Sequence, residues 1–340
     1  VDALFGRKYP ASTQTTCRFA RPRQVGWAVT QNPGARGNGY RGVFPIAPTP
    51  FAKGGALDLP AQRQVVDCMI DQGVDGICIL ANYSEQFLLT DRERDTLLDV
   101  CLDHVAGGVP VIVTCSHFST QIATERARRA QAAGAAMVMM MPPYHGAGLK
   151  ADEAGVCEHF SAAAAAVSIP IMVQDAPLSG VTLSVDLLAG LAKASPQVGY
   201  FKIEMPNTAD KLRSLIAAAP EAVVGPFDGE EGITLLADLD AGATGTMPSA
   251  LIPDLIKPVL EHHASGHRDQ AEAEYARILP AINFENRQCG LRATKTAMMA
   301  GGVIKSDAVR HPLRPLHPAT REELLNLLRP MDPVILRWGR

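Results

Sequence analysis

The feature that most constrains the fold is a regular alternation that starts at Gly42 and covers most of the chain. Apolar runs of about five to eight residues alternate with amphipathic stretches of about a dozen. Buried parallel strands are apolar along their whole length, and the helices that connect them have one apolar face, so the alternation predicts repeated strand–helix units. The predicted strands are 42–49, 76–82, 110–116, 136–141, 170–175, 198–203, 222–225 and 243–247.

The number of these units indicates how the sheet closes. Doubly wound sheets usually have five or six strands, whereas an unbroken series of eight strands and eight helices is the count of a closed barrel. The predicted fold class is therefore α/β, a (β/α)8 TIM barrel with a C-terminal helical extension. The predicted barrel helices are 60–72, 91–105, 120–133, 152–166, 184–194, 208–218, 229–240 and 253–264.

The pattern changes at both ends of this series. Residues 1–40 hold six Lys or Arg against one Asp and lack apolar periodicity, so we expect a loose N-terminal arm. The arm resembles a transit peptide in composition, but a mis-set translation start or added residues fit equally well, and we favour the latter. Residues 41–266 form the predicted barrel, and residues 267–340 form a C-terminal helical cap of the same domain. The helices predicted in the cap are 267–286, 291–300 and 319–329.

Charge and residue spacing argue against several classes of function. The formal net charge is −3 and the excess acid lies outside the basic arm, so nucleic acid is not expected as a partner. No apolar run reaches the roughly 18–20 residues of a membrane span, so no membrane is expected either. No histidine or cysteine spacing typical of a metal site occurs, and no metal is indicated.

The cysteines indicate a reducing compartment. They are seven, an odd number, they include no C-x-x-C pair, and most lie in apolar stretches. This usage predicts reduced, buried thiols of a cytoplasmic protein. The cysteines are Cys17, Cys68, Cys78, Cys101, Cys115, Cys157 and Cys289.

A lysine inside the sixth predicted strand is the strongest candidate for chemistry. Lys202 lies in the apolar run Val198–Glu204, where burial of an unpaired ammonium would cost several kcal/mol, so the amine must be paired or neutral. Desolvation lowers the pKa of a lysine and prepares the amine to form a Schiff base with a ketone. We expect a neutral amine. The alternative is that Lys202 lies at the strand end and reaches solvent or pairs with Glu204.

The carboxyl ends of the predicted strands bring together a lysine, a tyrosine, hydroxyls and glycines. Because the active site of such a barrel lies at those ends, we expect a site that handles a small anionic carbonyl compound covalently. Asp228, Glu230 and Glu231 also follow a strand, but we expect them to face the macrodipole at a helix start. The strand-end residues are Thr49, Asn82–Glu85, Cys115–His117, Pro142–His145, Gln174–Asp175, Lys202–Glu204, Gly225–Asp228 and Thr246–Met247.

Three runs, in order, resemble one enzyme superfamily. Asn82–Glu85, Pro142–Tyr144 and Phe201–Glu204 are similar to motifs of the Schiff-base superfamily of dihydrodipicolinate synthase and N-acetylneuraminate lyase, and the resemblance covers about residues 41–330. That superfamily usually has Gly-(Ser/Thr)-Thr-Gly-Glu where this chain has Ala81–Glu85. The departure removes a pair of hydroxyls, so the reaction of the synthase itself is not expected.

Five further runs resemble sugar-acid dehydratases of this superfamily. The resemblance implies a lyase that converts a 2-keto-3-deoxy acid into 2-oxoglutarate semialdehyde and water, in a homotetramer. The alternatives are a retro-aldolase that releases pyruvate and a non-catalytic barrel that senses keto acids. The runs are Cys78–Gln86, Met141–Gly146, Val173–Pro177, Gly225–Glu231 and Leu336–Arg340.

The resemblance also implies the catalytic residues. Lys202 matches the Schiff-base lysine, so the covalent imine takes the place of a separate cofactor. Tyr144 matches a tyrosine that shuttles protons beside the imine, although it could instead only pack at the barrel mouth. The C3 proton of the substrate could be taken by Tyr144, by the amine of Lys202, or by water.

The remaining candidates are expected to bind the small-molecule substrate. Ser84 and Tyr83 match a pair that holds the substrate carboxylate, although Ser84 could simply cap a turn. Asn82 replaces a relay hydroxyl and is expected to orient the C4 hydroxyl. The residues predicted to line the mouth by position alone are Thr49, Asp175, Gly225 and Met247, of which Asp175 could be a helix cap and Met247 core packing.

Overall fold

The computed structural model describes residues 39–146 and 149–339, and its centre is a ring of short parallel strands. Most strands are shorter than predicted. The strands are β1 (Gly42–Val43), β2 (Ile77–Ile79), β3 (Val111–Thr114), β4 (Met137–Met140), β5 (Tyr144–His145), β6 (Leu149–Lys150), β7 (Ile171–Asp175), β8 (Val198–Ile203), β9 (Gly225–Asp228) and β10 (Gly245–Thr246).

Eight of these strands form one sheet, in the order β1-β10-β9-β8-β7-β4-β3-β2, and every pair in it is parallel. The two ends of the sheet meet through a parallel bridge between Ile46 and Cys78, supported by a bond from the N–H of Ala47 to the carbonyl of Cys78 (2.8 Å). This ring of alternating strands and helices confirms the predicted (β/α)8 barrel. Strands β5 and β6 form a separate antiparallel hairpin that was not predicted.

Five of the helices begin after a residue whose side chain caps them. Asp58, Thr90, Ser119, Asp152 and Ser184 each accept a bond from the backbone N–H three residues further on. Such a bond satisfies a donor that has no partner within the helix and sets where the helix starts. The helices are α1 (Leu59–Asp71), α2 (Asp91–Val105), α3 (Thr120–Ala132), α4 (Glu153–Ala166), α5 (Val185–Ala194), α6 (Thr208–Ala218), α7 (Leu235–Asp240), α8 (Pro253–Ala264), α9 (Arg268–Phe284), α10 (Arg292–Ala300), α11 (Pro318–Leu328) and α12 (Val334–Arg337).

The core has two layers, one inside the ring of strands and one between the ring and the helices. Strand β4 shows both: Met137 and Met139 belong to the cluster inside the barrel, and Val138 and Met140 to the cluster under the helices. Successive side chains of a strand point to opposite faces, so each apolar strand supplies both layers. This is why the barrel strands are apolar throughout.

Strand β9 lies later in the chain than predicted. The β-branched residues Val223 and Val224 favoured a strand at 222–225, but the structure pairs Gly225 with Tyr200 of β8 and continues to Asp228. The ring of Tyr200 occupies the space that a side chain at position 225 would need. The predicted strand was therefore wrong in position, and the shift places Asp228 on a strand.

The C-terminal helices follow the predicted ones closely, with α9 packed on α8. Helix α9 ends in a π-helical turn at Glu285–Cys289, which carries polar side chains back towards the barrel. The division of the chain at residue 266 stays a prediction. The predicted arm falls almost wholly on residues 1–38, outside the described residues.

The cysteines agree with the prediction at five positions. Cys68, Cys78, Cys101, Cys115 and Cys289 are buried thiols. Cys157 of α4 is disulfide-bonded, so the prediction of a reduced thiol is wrong there, and no sequence spacing signalled it. Cys17 lies outside the described residues. None of the described helices is both long and apolar enough to cross a membrane.

Candidate active site

A cavity of about 210 Å³ opens at the carboxyl ends of the barrel strands. Its wall combines one amine with several carboxyl groups, and amides and a phenol complete the polar lining. Parallel strands bring residues that follow β2, β7, β8 and β9 to this end of the barrel. The charged residues of the wall are Lys202, Glu204, Glu230 and Glu231.

Lys202 and Glu204 form an ion pair on the wall of the cavity. Lys202 lies in β8, its Nζ contacts Oε1 of Glu204, and the two side chains are 7% and 12% exposed. Gln174 of β7 donates from Nε2 to the same Oε1 (3.1 Å). Gly229 leaves room for the pair, because a Cβ there would lie 3.1 Å from Cε of Lys202 and closer still to Cγ of Glu204. The pair is therefore held in place by its neighbours.

The amine of Lys202 is held in its charged form, which corrects the expectation of a neutral amine. Burial alone would lower its pKa, but the charge and hydrogen bond of Glu204, with the charge of Glu231, raise the pKa above its ordinary value. The alternative considered from the sequence, pairing with Glu204, is the arrangement observed. An ammonium is not a nucleophile, so reaction with a carbonyl requires proton transfer first. Glu204 is placed to accept that proton.

Tyr83 and Asn82 reach the cavity from the turn after β2. The phenol of Tyr83 is hydrogen-bonded to the carboxyl of Glu231, and burial together with the charge of Glu231 raises the pKa of Tyr83. Oδ1 of Asn82 accepts a bond from Nε2 of Gln86 (2.7 Å). Of the predicted site residues, the structure thus brings Lys202, Tyr83 and Asn82 together at one cavity.

Glu230 and Glu231 lie at the start of a short 3₁₀ helix (Glu230–Gly232) after β9, in agreement with the prediction, and both also line the cavity. Helix α7 begins only at Leu235. Asp228 was predicted at the same helix start, but it lies at the end of β9, where it bonds to Thr246. The place of Glu230 and Glu231 on the cavity was not predicted, because β9 ends three residues later than expected and so brings the start of this short helix to the strand ends.

Ser84 and Thr49 lie behind the β2 turn rather than on the cavity wall. Oγ of Ser84 donates to the carbonyl of Ala47 (2.6 Å) and accepts from the N–H of Ala81 (3.1 Å). Oγ1 of Thr49 donates to the carbonyl of Ser84 (2.8 Å). These bonds give Ser84 the turn-capping role that was its alternative. The roles of Ser84 and Thr49 as contacts of the ligand stay predictions.

Asp175, Gly225 and Met247 have structural partners away from the lining of the cavity. Asp175 is fully buried and pairs with Lys211 of α6. Gly225 makes room for the ring of Tyr200, and Met247 is buried in the cluster inside the barrel. Their predicted contact with a ligand receives no support from this placement.

Tyr144 lies on the β5–β6 hairpin and is half-buried. Within the described residues its hydroxyl has no hydrogen-bond partner, and it does not line the cavity. Burial raises its pKa. Its role as proton shuttle stays a prediction.

Sequence reasoning missed Asn286 and did not place Glu231 on the cavity. Asn286 follows α9, and its Nδ2 donates to Oε2 of Glu231 (2.9 Å). A residue that reaches the barrel from a distant helix leaves no local signal in the sequence. Glu231 did have a signal, its place directly after an apolar strand, once that strand is located correctly.

Comparison with known proteins agrees with this geometry. The model of the dihydrodipicolinate synthetase family matches residues 39–330. This chain belongs to that family. The resemblance predicted from the sequence is therefore confirmed.

Relatives within the family differ in how similar they are. An L-2-keto-3-deoxyarabonate dehydratase from Azospirillum brasilense is 56% identical over 300 residues, covering 88% of this chain and 97% of that protein. A 4-hydroxy-tetrahydrodipicolinate synthase from Thermomicrobium roseum is 30% identical over 301 residues, covering 85% and 93%. The solved dihydrodipicolinate synthase of Rhodopseudomonas palustris has a TM-score of 0.78 and 25% identity, covering 89% and 99%.

Proposed function

We propose that the protein is a Schiff-base-forming dehydratase, a hydro-lyase that converts L-2-keto-3-deoxyarabonate into 2-oxoglutarate semialdehyde and water. The observation that carries the proposal is the buried pair of Lys202 and Glu204 on the cavity. The 56% identity to the Azospirillum dehydratase over nearly the whole of both chains supports the choice of substrate.

The first step is condensation of Lys202 with the C2 ketone. Glu204 accepts a proton from the ammonium, and the neutral amine attacks C2. The attacking nitrogen gives up a second proton to the C2 oxygen, which forms a carbinolamine. Glu204 then returns its own proton to that hydroxyl, and the oxygen leaves as water to give an iminium. The carboxylate of Glu204 is thereby restored beside the imine nitrogen.

The second step is removal of a proton from C3. The iminium withdraws electrons and acidifies C3, so a nearby carboxylate can take the proton and produce an enamine. Glu204 is a base that already contacts the nitrogen, in addition to the three candidates weighed from the sequence. The enamine then expels the C4 hydroxyl, and tautomerisation and hydrolysis release the semialdehyde.

The reaction products test the proposal. The purified protein is incubated with L-2-keto-3-deoxyarabonate, and carbonyl products are separated and identified, with Lys202→Ala as the matched control. We expect semialdehyde from the wild type and none from the variant. Pyruvate and glycolaldehyde without semialdehyde would establish the retro-aldolase instead. Binding without any product would establish the keto-acid sensor.

Tyr144 is proposed as a proton shuttle on the strength of the resemblance. We expect Tyr144→Phe to slow turnover by about 10²–10⁴-fold, the usual effect of losing acid–base help. Tyr40→Phe is the matched control, since it removes a phenol that does not line the cavity and should leave turnover unchanged. Near-normal turnover of Tyr144→Phe would remove that residue from the mechanism.

The surroundings of the reaction are also proposed by resemblance. The protein is proposed to be a cytoplasmic homotetramer of arabinose catabolism that needs no separate cofactor, because the imine on Lys202 serves as the electron sink. Light scattering gives the assembly mass, and activity after exhaustive dialysis against a chelator tests the absence of a metal requirement.

A further inference from the structure

The wall of the cavity carries a second buried carboxyl that the steps above do not use. Glu231 lines the same cavity as Lys202 and Glu204, it is 8% exposed, and its charge acts on the amine of Lys202. Glu204 is already occupied by the ammonium. Glu231 belongs to a different element, the short 3₁₀ helix after β9, and lines the cavity from there.

Two hydrogen bonds and an unusual backbone fix Glu231. Tyr83 bonds to its carboxyl, and Nδ2 of Asn286 donates to Oε2 (2.9 Å). The backbone is left-handed at both Glu230 and Glu231, with φ of 55° and 62°. Left-handed conformations of residues other than glycine cost about 1–3 kcal/mol each and occur where the surroundings, often a functional site, impose them.

Burial favours the protonated form of Glu231. Burial raises its pKa to about 7, and the charge of Glu204 adds to this, whereas Lys202 and the bonds from Asn286 and Tyr83 lower it. Glu285 is 1% exposed, with Oε1 unpartnered among the described residues, and burial and the charge of Glu231 raise its pKa. Glu230, the remaining acid of the wall, is next in the chain. Glu231 is thus a carboxyl that can carry a proton near neutral pH, whereas Glu204 is occupied by the ammonium of Lys202.

We propose that Glu231, held by Tyr83 and Asn286, is the general acid that protonates the leaving C4 hydroxyl, while Glu204 serves Lys202 and C3. The inference rests on the proposed function and deepens it. Pairs of titratable groups that their surroundings keep in opposite protonation states commonly divide acid and base roles.

The elimination step balances as follows. The nitrogen lone pair of the enamine forms the C2=N bond, the C2=C3 electrons form C3=C4, and the C4–O bond breaks with its electrons on oxygen. The proton of Glu231 moves to that oxygen, and water leaves. The products are a conjugated iminium on Lys202 and the carboxylate of Glu231. That carboxylate can then take a C5 proton as the unsaturated iminium isomerises towards the aldehyde.

The test compares wild type and Glu231→Gln in two assays. Turnover of L-2-keto-3-deoxyarabonate is measured between pH 5 and 9, and borohydride trapping of pyruvate measures imine formation on Lys202. A general acid must be protonated, so wild-type kcat should fall as pH rises through about 7. We expect Glu231→Gln to lose about 10²–10⁴-fold in kcat with little change in KM, to lose this alkaline fall, and to retain trapping.

Two further variants separate this role from a structural one. Glu230→Gln removes the neighbouring acid of the same turn and should keep the alkaline fall near pH 7. Asn286→Ala removes a bond that lowers the pKa of Glu231, so it should move the fall to higher pH. The second variant leaves Glu231 in place and gives an answer even where Glu231→Gln does not fold.

The outcomes show whether the general-acid role of Glu231 fails or the proposed dehydratase function fails. If the wild type forms no semialdehyde or traps no pyruvate, the proposed function fails. If the wild type passes both assays but Glu231→Gln turns over within about threefold of it, or Asn286→Ala leaves the fall in place, the general acid is another group. The inference is supported if Glu231→Gln still traps pyruvate while its kcat collapses, and if the decrease of kcat with rising pH moves to higher pH in Asn286→Ala.

Discussion

Two lysines are buried in the described part of the chain, each beside a glutamate, and their surroundings differ. Lys202 pairs with Glu204 on the wall of a cavity. Lys295 of α10 pairs with Glu85, also donates to the carbonyl of Ala308 (2.9 Å), and lies 4.4 Å from the ring centre of Phe51. Lys295 is fully enclosed, whereas Lys202 faces space that a substrate can enter.

The two amines also differ in the direction of their pKa. Burial lowers the pKa of Lys295, the charge of Glu85 offsets this in part, and Arg310 lowers it further. In Lys202 the carboxylates outweigh burial and raise the pKa. A depressed pKa alone would select Lys295 as the nucleophile. Access of the substrate and a nearby proton acceptor therefore decide which amine can react. A lysine can also be buried for stability alone.

The largest expected effect is on catalysis at the pair of Lys202 and Glu204. Lys202→Ala should abolish turnover, because no other described amine lines the cavity to form the imine. The fold should persist, since the variant leaves Glu204 with its bond from Gln174. Product formation and circular dichroism of the same sample check both statements. Residual turnover above about one hundredth of wild type would contradict the assignment.

The next effect concerns the carboxyl of the first pair. Glu204→Gln keeps the size of the side chain but cannot accept the proton of Lys202, so kcat should fall by about 10²–10⁴-fold. Single-turnover trapping of pyruvate should slow with it, because condensation itself needs the neutral amine. Glu153→Gln, an exposed change at the start of α4, is the control. Unchanged trapping would show that another base deprotonates Lys202.

Breaking the pair of Lys295 and Glu85 should lower the stability of the fold. Lys295→Ala leaves the carboxylate of Glu85 buried without its partner, which typically costs about 3–5 kcal/mol. Lys257→Ala, which breaks the half-exposed pair with Asp75, should cost about 1 kcal/mol or less. Chemical denaturation of the two variants measures the difference. Equal, small losses would mean that Lys295 is not essential to the packing of the C-terminal helices.

The smallest expected effect is on the pH dependence of stability, and its sign differs between the pairs. The raised pKa of Lys202 gives stability that is lost as pH rises above 10.5, whereas the lowered pKa of Lys295 makes stability rise with pH just below 10.5. Each slope is at most about 1.4 kcal/mol per pH unit, the value for one proton. Unfolding free energies of Lys202→Met and Lys295→Met between pH 9 and 11 should show opposite changes of slope.

The barrel could be predicted because its signal is repeated. The same strand–helix pattern occurs eight times, so an error in the position of one strand does not change the predicted fold. Strand β9 was misplaced because its register depends on the contact of Tyr200 with Gly225, which no local pattern of Val223 and Val224 reveals. That single shift hid the role of Glu231.

The site could be predicted in part. Lys202 was found because a charged residue interrupts a buried strand. Its charge state was predicted wrongly, although Glu204 follows at the second position and side chains two apart in a strand lie on the same face. Asn286 could not be found, since it reaches the cavity only through the packing of α9 on the barrel.

Mapping the trapped adduct decides whether Lys202 or Lys295 forms the covalent intermediate. The protein is incubated with pyruvate and borohydride, digested, and mapped by mass spectrometry for the reduced adduct. We predict a single adduct, on the peptide that contains Lys202, and none on the peptide that contains Lys295. An adduct on Lys295, or no adduct at all under conditions in which the protein consumes its substrate, would contradict the account.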